Sequence, residues 1–253
     1  MLDSYIKMKL KKKEILLMTH IVAGYPSYEN SFKIIEKMVN AGVDMMELQI
    51  PFSEPIADGP VILKANQQAL SSGATVKKSL EFVKTVTKTF DIPFLFMSYY
   101  NILFKFGIRR FIEEMVRADI KGAIIPDLPP EEGDEYLKAM NKSNLSPIFI
   151  FSPTTTPERM KYISSFGKGF IYCVARKGVT GFQTSFSDQL DTYISTCRKS
   201  TRLPLALGFG VKDKKDINYL KGKVDIAVVG SQTIRMVDKK GVDSVEGFIR
   251  NLR

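Results

Sequence analysis

Short apolar stretches alternate with longer amphipathic stretches along most of this chain. The apolar stretches span three to eight residues and are rich in β-branched and aromatic side chains, which is typical of strands; they are 15–22, 45–50, 94–98, 122–125, 147–151, 170–174, 205–207 and 226–229. The amphipathic stretches have the apolar spacing of helices; they are 27–41, 76–89, 107–118, 131–143, 157–165, 186–200, 213–220 and 244–252.

Strands that alternate with helices of this length predict parallel βαβ units. Eight units in one chain favour an α/β fold of the closed (β/α)8 type, a TIM barrel, over an open doubly wound sheet. Pro93, Pro147 and Pro204 agree with this prediction, because each stands at the entry to a strand, where a missing N–H is harmless. No change in composition divides the chain, so residues 1–253 are expected to form one domain. Active sites of such barrels lie at the C-terminal ends of the strands.

The composition changes this picture little. The chain has 253 residues, of which 44% are hydrophobic and 25% charged, and it carries a net charge of +10. A positive net charge can favour binding of nucleic acid, an anionic membrane or an anionic small substrate. Its densest part, Lys7, Lys9 and positions 11–13, is short, terminal and without a nucleic-acid-binding motif. We therefore expect a solvated terminal face, with no binding of nucleic acid or membrane.

No segment has the features of a membrane span or a targeting sequence. The apolar stretch 15–23 follows three lysines, but it contains Thr19 and His20 and no small-residue cleavage site follows it, so we interpret it as the first strand. No apolar run approaches the roughly 20 residues of a membrane span. Cys173 and Cys197 do not form a CxxC motif, which indicates a reduced, cytoplasmic protein.

Glu47 is a candidate for acid–base chemistry because of its place in the second predicted strand. Side chains alternate along a strand, so Glu47 shares a face with Met45 and Gln49, while the opposite face suits packing against helices. This would direct Glu47 into the barrel, where an ionised carboxylate is costly and proton exchange near neutral pH becomes accessible. The alternative is a structural residue, paired with a lysine or with backbone donors.

Asp58 lies in the loop after that strand. Pro51 and Pro55 stiffen the loop, and Asp58-Gly59-Pro60 is a turn-forming tripeptide. An Asx turn or a helix cap would explain Asp58 equally well. A second carboxylate presented over Glu47 would form a proton-transfer pair, and this pairing, more than either residue alone, favours a catalytic role.

Glycines follow the last three predicted strands and suggest a phosphate site. They lie at 178–181, 208–210 and 230–231, and the last pair opens a short helical segment, 231–235. Backbone N–H groups can approach a phosphate where no side chain intervenes, and a helix N-terminus favours an anion. Barrels of this class commonly bind phosphate at these loops. The sequence has no GxGxxG or GxxxxGK[ST] motif, which argues against dinucleotide and P-loop binding.

The segment 47–60, ELQIPFSEPIADGP, resembles the signature of the tryptophan synthase α-chain family. Further matches to the family occur in order along the chain: AGYP at 23–26, YYN at 99–101, PDLP at 126–129, GVTG at 178–181, GFGV at 208–211 and GS at 230–231. The resemblance covers essentially the whole chain, and segment 47–60 is its most specific part.

This resemblance implies a lyase that cleaves indole-3-glycerol phosphate to indole and glyceraldehyde 3-phosphate by a retro-aldol step without a cofactor. Glu47 would move a proton between the glycerol hydroxyl and indole C3, and Asp58 would accept from the indole N–H. The other substrate-binding residues that it implies are His20, Met97, Tyr99, Tyr172, Thr180, Gly181, Phe209, Gly210, Gly230 and Ser231. Residues 176–185 would form a mobile lid. The implied partner is a β subunit that carries pyridoxal phosphate, in an α2β2 complex.

The chain departs from the family pattern at several positions near these residues. Glu54 replaces a usual Asp, Gln49 a common Gly, Ala175 a frequent Ser and Val22 a frequent Thr. His20, the single histidine, stands where an aromatic residue that lines the indole pocket is common. It could be a core residue with one satisfied nitrogen, a wall of the pocket or, without a partner histidine, a metal ligand; no metal site is expected.

Two other functions remain open from the sequence. A sugar-phosphate isomerase or epimerase would share the late glycines, but it has no reason to carry segment 47–60. A subunit that acts mainly by binding and activating a partner enzyme is the second alternative, and the two roles can coexist.

Overall fold

A computed structural model describes residues 2–175, 186–208 and 210–253. In this part of the chain eight parallel strands close into a barrel in sequence order, β1 to β8. The strands are β1 Leu16–Val22, β2 Met45–Gln49, β3 Phe94–Met97, β4 Gly122–Ile124, β5 Ser146–Phe151, β6 Ile171–Val174, β7 Leu205–Gly208 and β8 Ile226–Val229. The predicted (β/α)8 fold is thereby confirmed.

Helices pack around the barrel, and most of them connect successive strands. They are α1 Leu2–Leu10, α2 Tyr28–Asn40, α3 Pro60–Ser71, α4 Val76–Thr89, α5 Tyr100–Phe106, α6 Ile108–Arg117, α7 Asp134–Lys142, α8 Pro157–Ser164, α9 Phe186–Ser200, α10 Lys214–Leu220, α11 Ser231–Lys240 and α12 Ser244–Arg250. The predicted helix 131–143 is divided at Gly133, between a 3-10 turn, Pro130–Glu132, and α7. No helix in the described ranges is both long enough and apolar enough to cross a membrane.

Alternation along the strands separates an inner layer of side chains from an outer one. On β2, Met46 and Leu48 pack in the large cluster beneath the helices, while Met45 packs in the cluster inside the barrel. Glu47 shares the inward face with Met45, as predicted. The inner cluster contains further apolar side chains from the other strands: Leu16, Met18, Leu95, Ile124, Ile148, Ala206, Ile226 and Val228.

Helix α1 covers the barrel end opposite the C-terminal ends of the strands. Leu2 and Ile6 are buried in the inner cluster, and a Cβ on Gly169 would come within 2.8 Å of Leu2. The lysines for which a solvated face was expected are exposed at Lys7, Lys11 and Lys12 and half-buried at Lys9 and Lys13, whereas the burial of the opposite side of the helix was not predicted. Two apolar residues four positions apart are enough to dock one helix face.

Asp44 ties both ends of the chain to this closed end of the barrel. Its backbone oxygen accepts from the Tyr5 hydroxyl at 2.7 Å, and its buried carboxylate binds Lys13 and the backbone N–H of Leu17. Arg253 Nη2 lies 3.1 Å from Asp44 Oδ2. A buried carboxylate needs such partners, because an unpaired buried charge is costly.

Two helices that the sequence did not predict lie beside the C-terminal ends of the strands. Helix α3 begins at Pro60, with Gly59 as its N-cap residue, and α5 begins directly after Tyr99. The Asp127 carboxylate accepts from the Tyr100 N–H at the start of α5, at 2.9 and 3.1 Å. The strand β5 also begins one residue earlier than predicted, so that Pro147 is its second residue.

Candidate active site

The C-terminal ends of the strands form the barrel mouth, and β1 and β2 bring three polar residues together there. His20 and Glu47 are Cα partners, and Gln49 follows Glu47 on the same inward face. His20 is 4% exposed, Glu47 1% and Gln49 0%. Polar side chains that are this deeply buried need hydrogen-bond partners, either in the protein or in a ligand. The contacts of these three residues therefore define the site.

The imidazole of His20 contacts the carboxylate of Glu47. His20 Nδ1 lies 3.3 Å from Glu47 Oε2. Burial alone would lower the pKa of His20, but the hydrogen bond to Glu47 and the negative charges of Glu47 and Asp58 outweigh burial and raise this pKa above its ordinary value. The arrangement matches a buried histidine with one satisfied nitrogen, and it also places that histidine at the mouth.

Asp58 is held in place by two donors. Gln49 Nε2 donates to Asp58 Oδ2 at 2.6 Å, and the Tyr99 hydroxyl donates to the same oxygen at 3.1 Å. The Ala57 N–H in turn donates to the Tyr99 oxygen at 3.2 Å. Asp58 does not cap α3, because Gly59 is the N-cap residue there and makes no side-chain bond. The Asp58 side chain therefore makes its hydrogen bonds at the barrel mouth and not at the helix N-terminus.

Tyr99 and Met97 both lie where β3 ends. Tyr99 is fully buried, and its ring stacks on Phe52 with the centroids 5.1 Å apart. Burial and the nearby Asp58 charge raise the pKa of its hydroxyl, so this group stays a donor at neutral pH. Met97 is 8% exposed and packs in the inner cluster. These two residues give the mouth an apolar wall with one hydroxyl.

Tyr172 approaches the two carboxylates from β6. Burial raises the pKa of its hydroxyl well above the ordinary value, and the Glu47 charge raises it further. A Cβ on Gly208 would lie 2.9 Å from both the Tyr172 hydroxyl and its ring, so the ring packs directly on the β7 backbone. Glycine at position 208 is what leaves room for this tyrosine.

The predicted phosphate residues are described only in part. Gly230 is the N-cap residue of α11 and Ser231 its first residue. A Cβ on Gly230 would be 3.6 Å from His20 Cβ, so this helix begins beside His20. Gly210 has φ +74°, and a Cβ added there would meet no described atom within 4 Å. Thr180, Gly181, Phe209 and the predicted lid 176–185 lie outside the described residues.

Several contacts at or near the mouth escape the sequence analysis. The sequence marks Gln49 only as a departure from a family pattern, yet this residue is a donor to Asp58. Tyr25, in the loop after β1, is buried, and its hydroxyl donates to Asp238 of α11. An inward position on β2 is a usable signal for Gln49. No comparable signal exists for Tyr25, whose partner is 213 residues away.

The arrangement can transfer protons to and from a bound organic molecule. Glu47 Oε1, His20 Nε2 and Gln49 Oε1 are buried and have no hydrogen-bond partner among the described residues. Unpartnered polar atoms gathered at the ends of two neighbouring strands indicate that ligand atoms complete the site. The described residues include no group of three or more His, Cys, Asp and Glu that could hold a metal ion.

The chain is similar to known proteins in both sequence and structure. The profile of the family described as "Tryptophan synthase alpha chain" matches residues 6–252. A protein of that name from Syntrophotalea carbinolica is 62% identical over 253 residues, and one from Desulforapulum autotrophicum is 62% identical over 252, with 100% of each chain covered in both cases. A crystal structure of tryptophan synthase subunit alpha from Legionella pneumophila is 29% identical, with a TM-score of 0.89, and covers 99% of this chain and 96% of its own.

Proposed function

The chain belongs to the tryptophan synthase α-chain family, whose members are lyases that cleave indole-3-glycerol phosphate, and on this basis we propose which of its residues perform the reaction. The family match over residues 6–252 rules out the sugar-phosphate isomerase or epimerase considered above. The residue roles below are our assignments, and the burial and contacts of the side chains support them.

Glu47 is the group that moves the proton of the carbon–carbon cleavage. It delivers a proton to indole C3, and the indole becomes an indolenine. It then takes the proton of the glycerol hydroxyl next to the breaking bond, so that this carbon becomes the aldehyde of glyceraldehyde 3-phosphate and the bond electrons return to the indole ring. Its almost complete burial on the inward face supports this role, because a carboxylate held away from water can exchange a proton directly with a bound substrate.

Asp58 is the group that accepts from the indole N–H. Protonation at C3 places positive charge on the ring nitrogen, and a fixed carboxylate beside that nitrogen stabilises the charge as it develops. The bonds from Gln49 and Tyr99 hold Asp58 Oδ2 in place, which favours a preorganised acceptor. Met97, Tyr99, Tyr172 and His20 surround the indole in this proposal.

The phosphate of the substrate is proposed to lie at the start of α11. Gly230 and Ser231 offer backbone N–H groups at this helix N-terminus, where an anion is favoured. Gly210, Thr180, Gly181 and Phe209 complete the phosphate site in the proposal.

The observation that carries the catalytic assignment is the pair of carboxylates at one mouth, each held through a single oxygen. Cleavage of indole-3-glycerol phosphate by the isolated chain tests it. We expect Glu47→Gln and Asp58→Asn to lose turnover by about a hundredfold or more while the fold is retained. Glu54→Gln, an exposed carboxylate in the same loop as Asp58, is the matched control and should keep its activity. Substantial turnover in either active-site variant would reject its assigned role.

The family implies a β subunit as the partner of this chain, and we propose an α2β2 complex in which the β chain carries pyridoxal phosphate. Two exposed apolar side chains beside the mouth suit such an interface: Ile56, 78% exposed, and Phe104, 64% exposed. Large exposed apolar groups on one face are typical of a protein-binding surface.

We also propose one domain over residues 1–253 and a cytoplasmic location. The free, buried Cys173 and Cys197 favour the cytoplasmic location.

A further inference from the structure

His20 and Glu47 form a buried pair, and the reaction as assigned above gives the contact between them no role. They are neighbours on β1 and β2, and His20 Nδ1 lies 3.3 Å from Glu47 Oε2. An ionised carboxylate can only accept hydrogen bonds, so in that state Nδ1 carries the proton and donates it. The neutral imidazole then has its unprotonated nitrogen at Nε2.

This contact makes the two oxygens of Glu47 different. Oε2 is bound to the histidine, whereas Oε1 is buried and has no hydrogen-bond partner within the described residues. Native proteins rarely leave a buried polar atom unsatisfied, so the free oxygen indicates a ligand atom as its partner. An apolar ring at position 20 would fill the same space but would not distinguish the two oxygens.

We propose that His20 is a positioning residue for Glu47: it holds Oε2, so that Oε1 is the oxygen that exchanges the proton with the substrate. This inference rests on the proposed function, because it concerns the proton transfer assigned to Glu47. A carboxylate held through one oxygen presents the other in a fixed direction, which preserves a reactive geometry. The role is distinct from that of a wall of the indole pocket.

The charges around His20 determine how the pair responds to pH. Glu47 faces it from β2, and the charge of Asp58 acts on it from the following loop. Tyr172 of β6 lies near the same two carboxylates, and Gly230 after β8, which has no side chain, lies beside His20. The pKa of His20 in the folded protein lies above its ordinary value of about 6.5. The stabilisation from a protonated His20 is therefore complete below the ordinary pKa and is lost as pH rises through the folded-state pKa.

Because His20 is the only histidine in the chain, its imidazole signals can be followed by NMR without ambiguity. The experiment titrates the isolated, untagged chain labelled with 15N-histidine, alongside Glu47→Gln and Asp58→Asn. We expect a proton on Nδ1 in the neutral ring and a clear fall of the His20 pKa in Glu47→Gln. The fall in Asp58→Asn should be smaller, because Asp58 acts on His20 only through its charge. An unchanged His20 pKa in Glu47→Gln would overturn the proposal.

Kinetics of two His20 variants separate positioning from packing. His20→Phe keeps a ring but removes the donor, and we expect kcat to fall about tenfold to a hundredfold with little change in KM and an altered pH profile. His20→Asn restores an N–H near the position of Nδ1 and should recover part of kcat. A purely structural role predicts a lower melting temperature and a normal pH profile in both variants.

The outcomes distinguish this inference from the proposed function. If Glu47→Gln is inactive while His20→Phe has the wild-type kcat and pH profile, the catalytic assignment stands and the positioning role is rejected. Equal losses in His20→Phe and His20→Asn also reject it. If Glu47→Gln is active, both proposals fail.

Discussion

At the scale of single residues, the site depends on hydrogen bonds to charged groups. Each carboxylate at the mouth is held through one oxygen, Glu47 by His20 and Asp58 by Gln49 and Tyr99. A hydrogen bond to a charged group contributes about 1.5–3 kcal/mol. If that energy orients the carboxylate for reaction, its loss lowers the rate by about tenfold to a hundredfold.

Gln49→Met tests this for Asp58. Methionine has a similar length and suits the fully buried position, but it removes the 2.6 Å bond to Asp58. We expect kcat/KM for indole-3-glycerol phosphate to fall about tenfold or more. Stability should be kept or improved, because Gln49 Oε1 is buried without a partner among the described residues.

The matched control for Gln49→Met is Gln67→Met, which makes the same change at an exposed position on α3. It should leave both turnover and stability unchanged. A kcat/KM within twofold of wild type in Gln49→Met would show that Tyr99 alone suffices to hold Asp58.

The inward direction of Glu47 could be predicted from strand alternation, and the same rule places Gln49 beside it. The partners could not be predicted. Asp58 meets Gln49 from nine positions further along the chain, and the conformation of the loop between them depends on contacts such as Tyr99 with Ala57. Periodicity gives the direction of a side chain but not the place where a loop returns.

At the scale of elements, α1 has the most distinct role, because it closes the end of the barrel opposite the mouth. Ile6→Ala should lower the free energy of unfolding by about 2–5 kcal/mol, since Ile6 is fully buried in the inner cluster. Chemical denaturation followed by circular dichroism measures the loss. Met8→Ala on the same helix, where the side chain is 49% exposed, is the control and should change little. Equal stability of the two variants would mean that α1 contributes nothing to the core.

The strands were predicted to within about one residue at most ends because each is a short apolar run between turns. Three helices were missed, and in each the local pattern favours another interpretation. Helix α1 docks through Leu2 and Ile6 within a basic segment, α3 begins at the Pro60 of a turn tripeptide, and α5 has only seven residues. In these segments tertiary packing, and not local periodicity, decides the structure.

At the scale of the whole molecule, the apolar side chains near the mouth predict where the β subunit binds. Phe104→Ser should weaken binding of the β subunit, measured by titration calorimetry, because it removes a large apolar contact of α5 that is exposed in the isolated chain. Turnover of the isolated chain should not change. Val116→Ser, at an exposed position near the end of α6, is the control. Equal affinity of Phe104→Ser and wild type for the β subunit would place the partner elsewhere.

The contacts of Asp44 have a practical consequence for rearranging this chain. Tyr5 and Arg253 both bind that one residue, so segments near the two ends of the sequence meet on the side of the barrel away from the mouth. A short peptide could join them, and new termini could be opened in an exposed loop elsewhere, as circular permutation requires. Attachment to a solid support through this side would leave the mouth directed toward the solution.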